Sequence, residues 1–296
     1  MPEGWLFLLN VDDYPSVRRF PPPVKLLFMP SAPTRIDGPV AVIGDVHGQV
    51  DKLRRIIEKL ATVPNVSNRW IVFIGDLVDR GPNSKGAIDL YCDLETQHKK
   101  VTWVCGNHEL AMAGSLGLID TPDFIDWPGR WLPNYDSDKT FASYGVEHGD
   151  LDGLREALPE RHREILSDLP WSVEHSQYLF VHAGLDVNLP FDTQVNILRQ
   201  RDYTLAHPPW LYDKSFVHGS AAPDCPVTVV VGHTPLKQVR FGDRVIGTDT
   251  TGGVFGELSC VLLPENIVIT SGDDPPPNQH TSAPTQGGRR PWWKIW

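Results

Sequence analysis

Pro39-Val40-Ala41-Val42-Ile43-Gly44-Asp45-Val46-His47-Gly48 is the stretch whose reading decides the fold. Its apolar, β-branched start ends in a glycine and reads as a buried strand. Gly44 and Gly48 bracket Asp45 and His47, so two chemically useful side chains stand where the strand stops and the chain turns. Residues 50–60 follow with Leu53, Ile56, Ile57 and Leu60 at helical spacing. Residues 70–74 read as a second strand ended by Gly75, residues 87–94 as a second helix, and residues 101–104 as a third strand shortly before Gly106. Strand and helix alternating at roughly thirty residues per unit predict right-handed crossovers and a parallel sheet.

Further along, residues 116–138 mix Gly, Pro, Asp and Trp and read as a long loop or cap. Residues 150–157 and 160–167 read as helices. Residues 178–181, 227–231, 244–247, 258–263 and 266–270 read as strands, with few helices among the last four. That pattern predicts antiparallel or mixed pairing. The expected fold is α/β: a layered β-sandwich flanked by helices, in a single domain spanning 39–271. Residues 1–38 hold seven prolines and are expected to be an extended Pro-rich extension. Residues 272–296 are polar and Pro/Gly-rich and are expected to be a disordered tail. That tail closes on Trp292-Trp293-Lys294-Ile295-Trp296, which together with Arg289 and Arg290 would suit docking on a partner or an acidic membrane surface.

The chain has 296 residues, 41% of them hydrophobic and 22% charged, a globular composition that excludes collagen, coiled coil and wholesale disorder. Its net charge of −10 disfavours a dedicated nucleic-acid binder, which needs a basic footprint. No apolar run approaches the ~18 residues of a membrane span. The apolar residues 5–11 lack a basic flank and a small-residue cleavage site, so no signal peptide is expected. Cys92, Cys105, Cys225 and Cys260 form no C-x-x-C pair, as suits reduced thiols in a cytoplasmic protein.

Five motifs stand at the ends of apolar strand runs. They are Gly44-Asp45-Val46-His47-Gly48, Gly75-Asp76-Leu77-Val78-Asp79-Arg80-Gly81, Gly106-Asn107-His108-Glu109, His182-Ala183-Gly184 and Gly232-His233-Thr234. In open α/β sheets, sites form beyond the carboxyl ends of strands. Each motif alone has a bland reading, a turn or a hydrogen-bonded strand-end histidine. Their conjunction points to metal. Asp45, His47, Asp76, Asn107, His182 and His233 offer oxygen and imidazole nitrogen but no thiolate, a set suited to manganese, iron or zinc. Six ligands exceed the need of one open catalytic ion and suit two divalent ions sharing a carboxylate.

These five motifs together resemble those of the phosphoprotein phosphatase family of binuclear, calcineurin-like metallophosphoesterases, over roughly residues 40–271. The bacterial and phage-type members, including the Rhizobiales-like branch, are the nearer match. The Ser-Ala-Pro-Asn-Tyr stretch of the eukaryotic enzymes is missing, and Gly247-Thr248-Asp249-Thr250 stands near its place. The resemblance implies that Asp45 and His47 hold one metal, that Asp76 bridges both, and that Asn107, His182 and His233 hold the other. It implies that His108 donates a proton to the leaving group, that Asp79 orients it, and that Arg80 binds phosphate oxygens. A second phosphate arginine is expected after His-Ala-Gly; Arg201, followed by Asp202, is preferred over Arg199. The implied chemistry is direct in-line attack by a metal-bound hydroxide, with no covalent phosphoenzyme.

The activity so implied is a phosphomonoesterase, foremost a protein serine/threonine phosphatase acting on a phosphoprotein or a small phosphoester. The alternatives are a diadenosine tetraphosphatase-like nucleotide hydrolase and a tyrosine-specific phosphatase. Gly232-His233-Thr234-Pro235, intact here, is usually lacking in the tetraphosphatases and weighs against that alternative. An inactive scaffold is disfavoured because the ligand set is complete. Outside the motifs, Asp249 is expected to be a loop residue, and His148, His162, His175, His207 and His218 surface or structural. Trp103 and Trp171 are expected in the core. Trp127 and Trp131, in the cap stretch, could pack or touch substrate.

Overall fold

The computed structural model describes residues 32–205 and 207–272. The expected tail with its Trp-rich end, and all but the last residues of the Pro-rich extension, lie outside the described residues. Along the chain run β1 (Val40–Ile43), α1 (Val50–Leu60), β2 (Trp70–Phe73), α2 (Ser84–Gln97), β3 (Val101–Trp103), α3 (Asn107–Ser115), α4 (Trp127–Asn134), α5 (Asp138–Ser143), α6 (Leu151–Ala157) and α7 (Glu160–Ser167). Then follow β4 (Ser172–Glu174), β5 (Tyr178–Val181), α8 (Phe191–Gln200), α9 (Pro209–Tyr212), β6 (Thr228–Val231), β7 (Arg240–Phe241), β8 (Val245–Gly247), β9 (Ser259–Leu263) and β10 (Ile267–Thr270).

These strands make two five-stranded sheets, ordered β10-β9-β1-β2-β3 and β4-β5-β6-β8-β7. β1, β2 and β3 are parallel, with Val42 opposite Val72, and β9 and β10 add antiparallel neighbours. In the second sheet β5, β6 and β8 are parallel and the outer strands β4 and β7 antiparallel. Mixed pairing in the second half is therefore as the sequence implies.

The period-2 alternation of strands sorts the core into two layers. Val40, Val42, Val72, Ile74, Val261 and Leu263 pack against Val173, Phe180, Val230 and Ile246 between the sheets. Their alternates Ala41, Ile43, Ile71 and Phe73 face outward onto Leu53, Ile56 and Leu60 of α1. α1 forms because its apolar positions share one face, with Asp51 in the first turn and Lys59 in the last, each favourable to the helix dipole. The expected cap at 116–138 carries a helix, α4. Its N-cap Asp126 accepts from the Gly129 N–H at 2.9 Å, and Trp127 and Trp131 are fully buried beneath it. Among the described residues no helix is long and apolar enough to cross a membrane.

Candidate active site

Parallel β1, β2 and β3, with β5 and β6 from the other sheet, send their carboxyl ends to one edge. Each ends in one of the five motifs. The turns there are tight. A Cβ on Gly106 would stand 2.1 Å from Asp76 Oδ1, and Gly75 has φ +101° with His182 packed against it. His47, Asp76, Asp79, Arg80 and His233 all adopt φ between 46° and 67°, left-handed backbone that costs about 1–3 kcal/mol per non-glycine residue. Such strain persists only where surrounding structure over-determines it.

Glu109 does much of that. It is fully buried at the third position of α3. Its Oε2 accepts from the Asp76 and Gly106 N–H groups at 2.8 and 3.0 Å, and its Oε1 from Leu77 and Val78 at 2.7 and 3.2 Å. The bond to Gly106 is half of a capping box. The rest pin the loop that presents Asp76. Burial, then the charge of Asp76, pushes Glu109 up to about 8.

Two histidines are oriented by backbone carbonyls. His47 Nδ1 donates to Val78 O at 3.0 Å and His182 Nδ1 to Ile74 O at 2.8 Å, leaving both Nε2 atoms turned to Asp76 Oδ2, at 3.6 and 3.3 Å. Asn107 Oδ1 lies 3.0 Å from His182 Nε2 and 2.9 Å from His233 Nδ1. Donor atoms of Asp76, His182 and His233, and likewise of His47, Asp76 and His108, lie within 4.8 Å of one another. The two groups share Asp76. Asp45 Oδ2 accepts from the His233 N–H at 2.9 Å, while Asp45 Oδ1 and His233 Nε2 are buried without a hydrogen-bond partner. Buried, unpaired donors of this kind fit divalent cations, since both atoms offer lone pairs and neither has another way to recover lost hydration.

Crowded together and buried, these groups shift one another strongly. Burial and the charge of Asp249 hold the Asp45 carboxyl well above its ordinary range. Burial would raise Asp76 too, but His182, His108 and His47 outweigh it and hold it well below. Burial alone would lower His182; attraction to Asp76 raises it to about 10. Burial lowers His47, and burial with the charge of His182 takes His233 down to about 3.

His108 Nδ1 and Asp79 Oδ2 are 2.9 Å apart, the pairing that the sequence implies. Asp79 also accepts from Thr140 Oγ1 at 2.6 Å and from Trp131 Nε1 at 2.9 Å. Burial raises Asp79 to about 7 and lowers His108 to about 4. Trp131 therefore packs and also holds Asp79, a role its position in the cap stretch gave no sign of. Arg80 Nη1 stands 3.1 Å from His47 Nε2.

Arg201 is not brought into this cluster. It closes α8 in left-handed backbone and its guanidinium pairs with Asp168. Arg199 pairs with Glu174. Asp249 is no ordinary loop residue: it is fully buried, accepts from Thr251 Oγ1 and the Gly252 N–H through Oδ1, and leaves Oδ2 without a partner. Thr-Asp-Thr-Thr-Gly-Gly reads as a turn, and only the tertiary fold shows that this turn closes over Asp45, whose carbonyl accepts from Thr251 at 3.0 Å. His207 is exposed, as expected, and contacts Arg130.

A family model described as calcineurin-like phosphoesterase matches residues 38–261. The asymmetrical bis(5′-nucleosyl)-tetraphosphatase PrpE of Halalkalibacterium halodurans is 38% identical over 252 residues, covering 76% of this chain and 89% of that protein. Its namesake from Oceanobacillus iheyensis is 25% identical over 258 residues, covering 78% and 91%. Among solved structures, a protein serine/threonine phosphatase from Saccharomyces cerevisiae superposes with a TM-score of 0.54 at 15% identity over 82% of this chain and 81% of its own, a likeness of fold. The family model covers all five motifs and every strand from β1 to β8, and the chain belongs to the calcineurin-like phosphoesterases.

Proposed function

We propose that this protein hydrolyses a phosphoanhydride of dinucleoside polyphosphates, splitting a bis(5′-nucleosyl) tetraphosphate into a nucleoside triphosphate and a nucleoside monophosphate. The observation that carries this reading is the 38% identity, over most of both chains, to a protein named for that reaction. The intact Gly232-His233-Thr234-Pro235 weighed the other way, yet relatedness along the whole domain outweighs a four-residue motif. The second reading is a phosphomonoesterase acting on phosphoserine, phosphothreonine or phosphotyrosine; the Asp79–His108 pair favours it, because a serine alkoxide needs protonation on leaving.

Asp45, His47 and Asp76 would hold one divalent ion, and Asp76, Asn107, His182 and His233 the other. Manganese suits this oxygen and nitrogen set best, with iron or zinc as alternatives. Two such ions, when bound, supply Lewis-acid charge and lower the pKa of a coordinated water. Arg80 binds the oxygens of the transferred phosphoryl group, and its planar fork suits them. To serve as proton donor His108 would act as the imidazolium and give its Nε2 proton to the departing oxygen, while Asp79, fixed by Thr140 and Trp131, holds the ring by Nδ1. The new P–O bond comes from water, and the bridging oxygen departs with its electron pair. Arg201 joins the phosphate only by giving up Asp168. Four cysteines without disulfides suit a reducing cytoplasm.

The test is a substrate panel with manganese added: diadenosine tetraphosphate beside phosphoserine, phosphothreonine and phosphotyrosine peptides. The expected result is the highest kcat/KM on diadenosine tetraphosphate, with ATP and AMP in equal amounts. Two molecules of ADP, or preference for a phosphopeptide, would contradict it.

A further inference from the structure

Two tyrosines wall the site on the side of the proton donor. The Tyr135 ring meets His108 edge-on at 4.7 Å, and the Tyr212 ring meets His233 at 6.5 Å. Their hydroxyls are 3.3 Å apart. Behind them lies Arg130 of α4. Its guanidinium sits 4.6 Å from the Trp127 ring and 5.8 Å from the Tyr212 ring. Nη2 donates to His207 Nε2 at 2.9 Å and reaches Tyr212 Oη at 3.5 Å. Nη1 is buried with no hydrogen-bond partner.

The company Arg130 keeps is unusual for this chain. Arg69, Arg161, Arg199 and Arg201 each pair with a carboxylate, and Arg240 and Arg244 donate to backbone carbonyls. Arg130 has neither kind of partner among the described residues, although a half-buried guanidinium recovers its hydration best from an anion. With no carboxylate paired to it, the charge of Arg130, like that of Arg80, is left for an incoming anion. The same helix places Trp131 on Asp79, so Arg130 is fixed to the frame that orients His108. Tyr212, which Arg130 contacts, and Tyr135 connect it to His233 and to His108, the proposed proton donor.

We infer that Arg130, with the Tyr135–Tyr212 hydroxyl pair, binds the phosphates of the departing part of a polyphosphate substrate, beyond the phosphoryl group that is transferred. This rests on the anhydride reading above and deepens it: a substrate with one phosphate has nothing for Arg130 to hold. Arg130 here determines specificity, and Arg80 holds the transferred group.

The test compares Arg130→Gln and Arg130→Lys with wild type, with free manganese held in excess. In Arg130→Gln, kcat/KM for diadenosine tetraphosphate should fall by about 10–100-fold, the loss expected for charge-assisted bonds. For nitrophenyl phosphate, whose leaving group carries no phosphate, it should fall less than about threefold. Arg130→Lys should lie between, keeping the charge without the fork. Inorganic tripolyphosphate should inhibit nitrophenyl phosphate turnover by wild type, and its KI should rise about tenfold in Arg130→Gln, with melting temperature and metal content unchanged. Equal losses on both substrates, an unaltered KI, or no inhibition of wild type would each overturn the inference. If wild type spares diadenosine tetraphosphate yet KI rises in the variant, the clamp stands and the tetraphosphatase reading fails. If diadenosine tetraphosphate is cleaved equally by wild type and variant, the reverse holds.

Discussion

The two ends of the strands handle buried charge in opposite ways. At the amino end Arg69 is buried and leaves only Nε unpaired: Nη1 donates to Val40 O and Leu263 O at 3.1 and 2.9 Å, and the fork grips Glu265 at 3.0 and 2.6 Å. His98 donates to Arg69 O and His175 to Gly38 O. The carboxyl end gathers Asp45, Asp76, Asp79, Asp249, Glu109 and four histidines, and leaves Asp45 Oδ1, Asp249 Oδ2, His233 Nε2 and Arg130 Nη1 without partners. Left-handed non-glycine backbone also collects there. A buried network whose charges are paired stabilises the fold, whereas a strained one that leaves carboxylate and imidazole atoms unpaired marks the place where a ligand completes the bonding.

That contrast ranks the expected effects of mutation. The largest falls on Asp76→Asn, which weakens the carboxylate shared by both ligand groups; turnover of any substrate should drop at least about 10³-fold. Steady-state kinetics on nitrophenyl phosphate check it, and a variant within tenfold of wild type would break the shared-carboxylate account. Next comes His108→Asn. Its loss should reach about 10²–10⁴-fold on a phosphoserine peptide and be far smaller on nitrophenyl phosphate, whose leaving group departs unprotonated. Arg80→Ala should cost both substrates alike, because it acts on the transferred group.

Glu109→Gln should act on stability more than on chemistry. Replacing one carboxylate oxygen by an NH₂ group sets a donor against the N–H groups of the Asp76 loop, at a cost of about 1–3 kcal/mol. The melting temperature should fall by several degrees, and an unchanged value would show that the loop holds itself. The smallest effect belongs to the amino end. The hydrogen bond from Arg69 lowers the Glu265 pKa in the folded protein. A depressed folded pKa contributes stability above the unfolded value, and that contribution is lost as pH falls through the folded one. Glu265→Gln should therefore flatten the acid side of the stability curve. Glu265 is partly exposed, so the change should stay within about 1 kcal/mol; denaturant titrations at pH 7 and pH 3.5 would show it.

Much of this was legible in the residues. β1, β2, β3, β5 and β6 are short β-branched or aromatic runs with a glycine within three residues of their ends, and a strand followed by Gly-Asp or Gly-Asn announces both its end and its chemistry. β4 and β7 escaped because runs of two or three residues hold no period to read. α4 escaped because Gly129 and Pro133 argue against a helix, and what fixes it is the burial of Trp127 and Trp131, a tertiary effect that overrides propensity. The metal-ligand candidates were legible as motifs. Asp249, Trp131 and Arg130 were not, since they reach the site across long sequence separations with no local signal.

Counting the metal in wild type and in Asp76→Asn tests the central claim most directly. After reconstitution with manganese and removal of free ion, elemental analysis should give two ions per chain in wild type and loss of both in the variant. A single ion in wild type, or one firmly retained in Asp76→Asn, would contradict a pair of sites joined through Asp76.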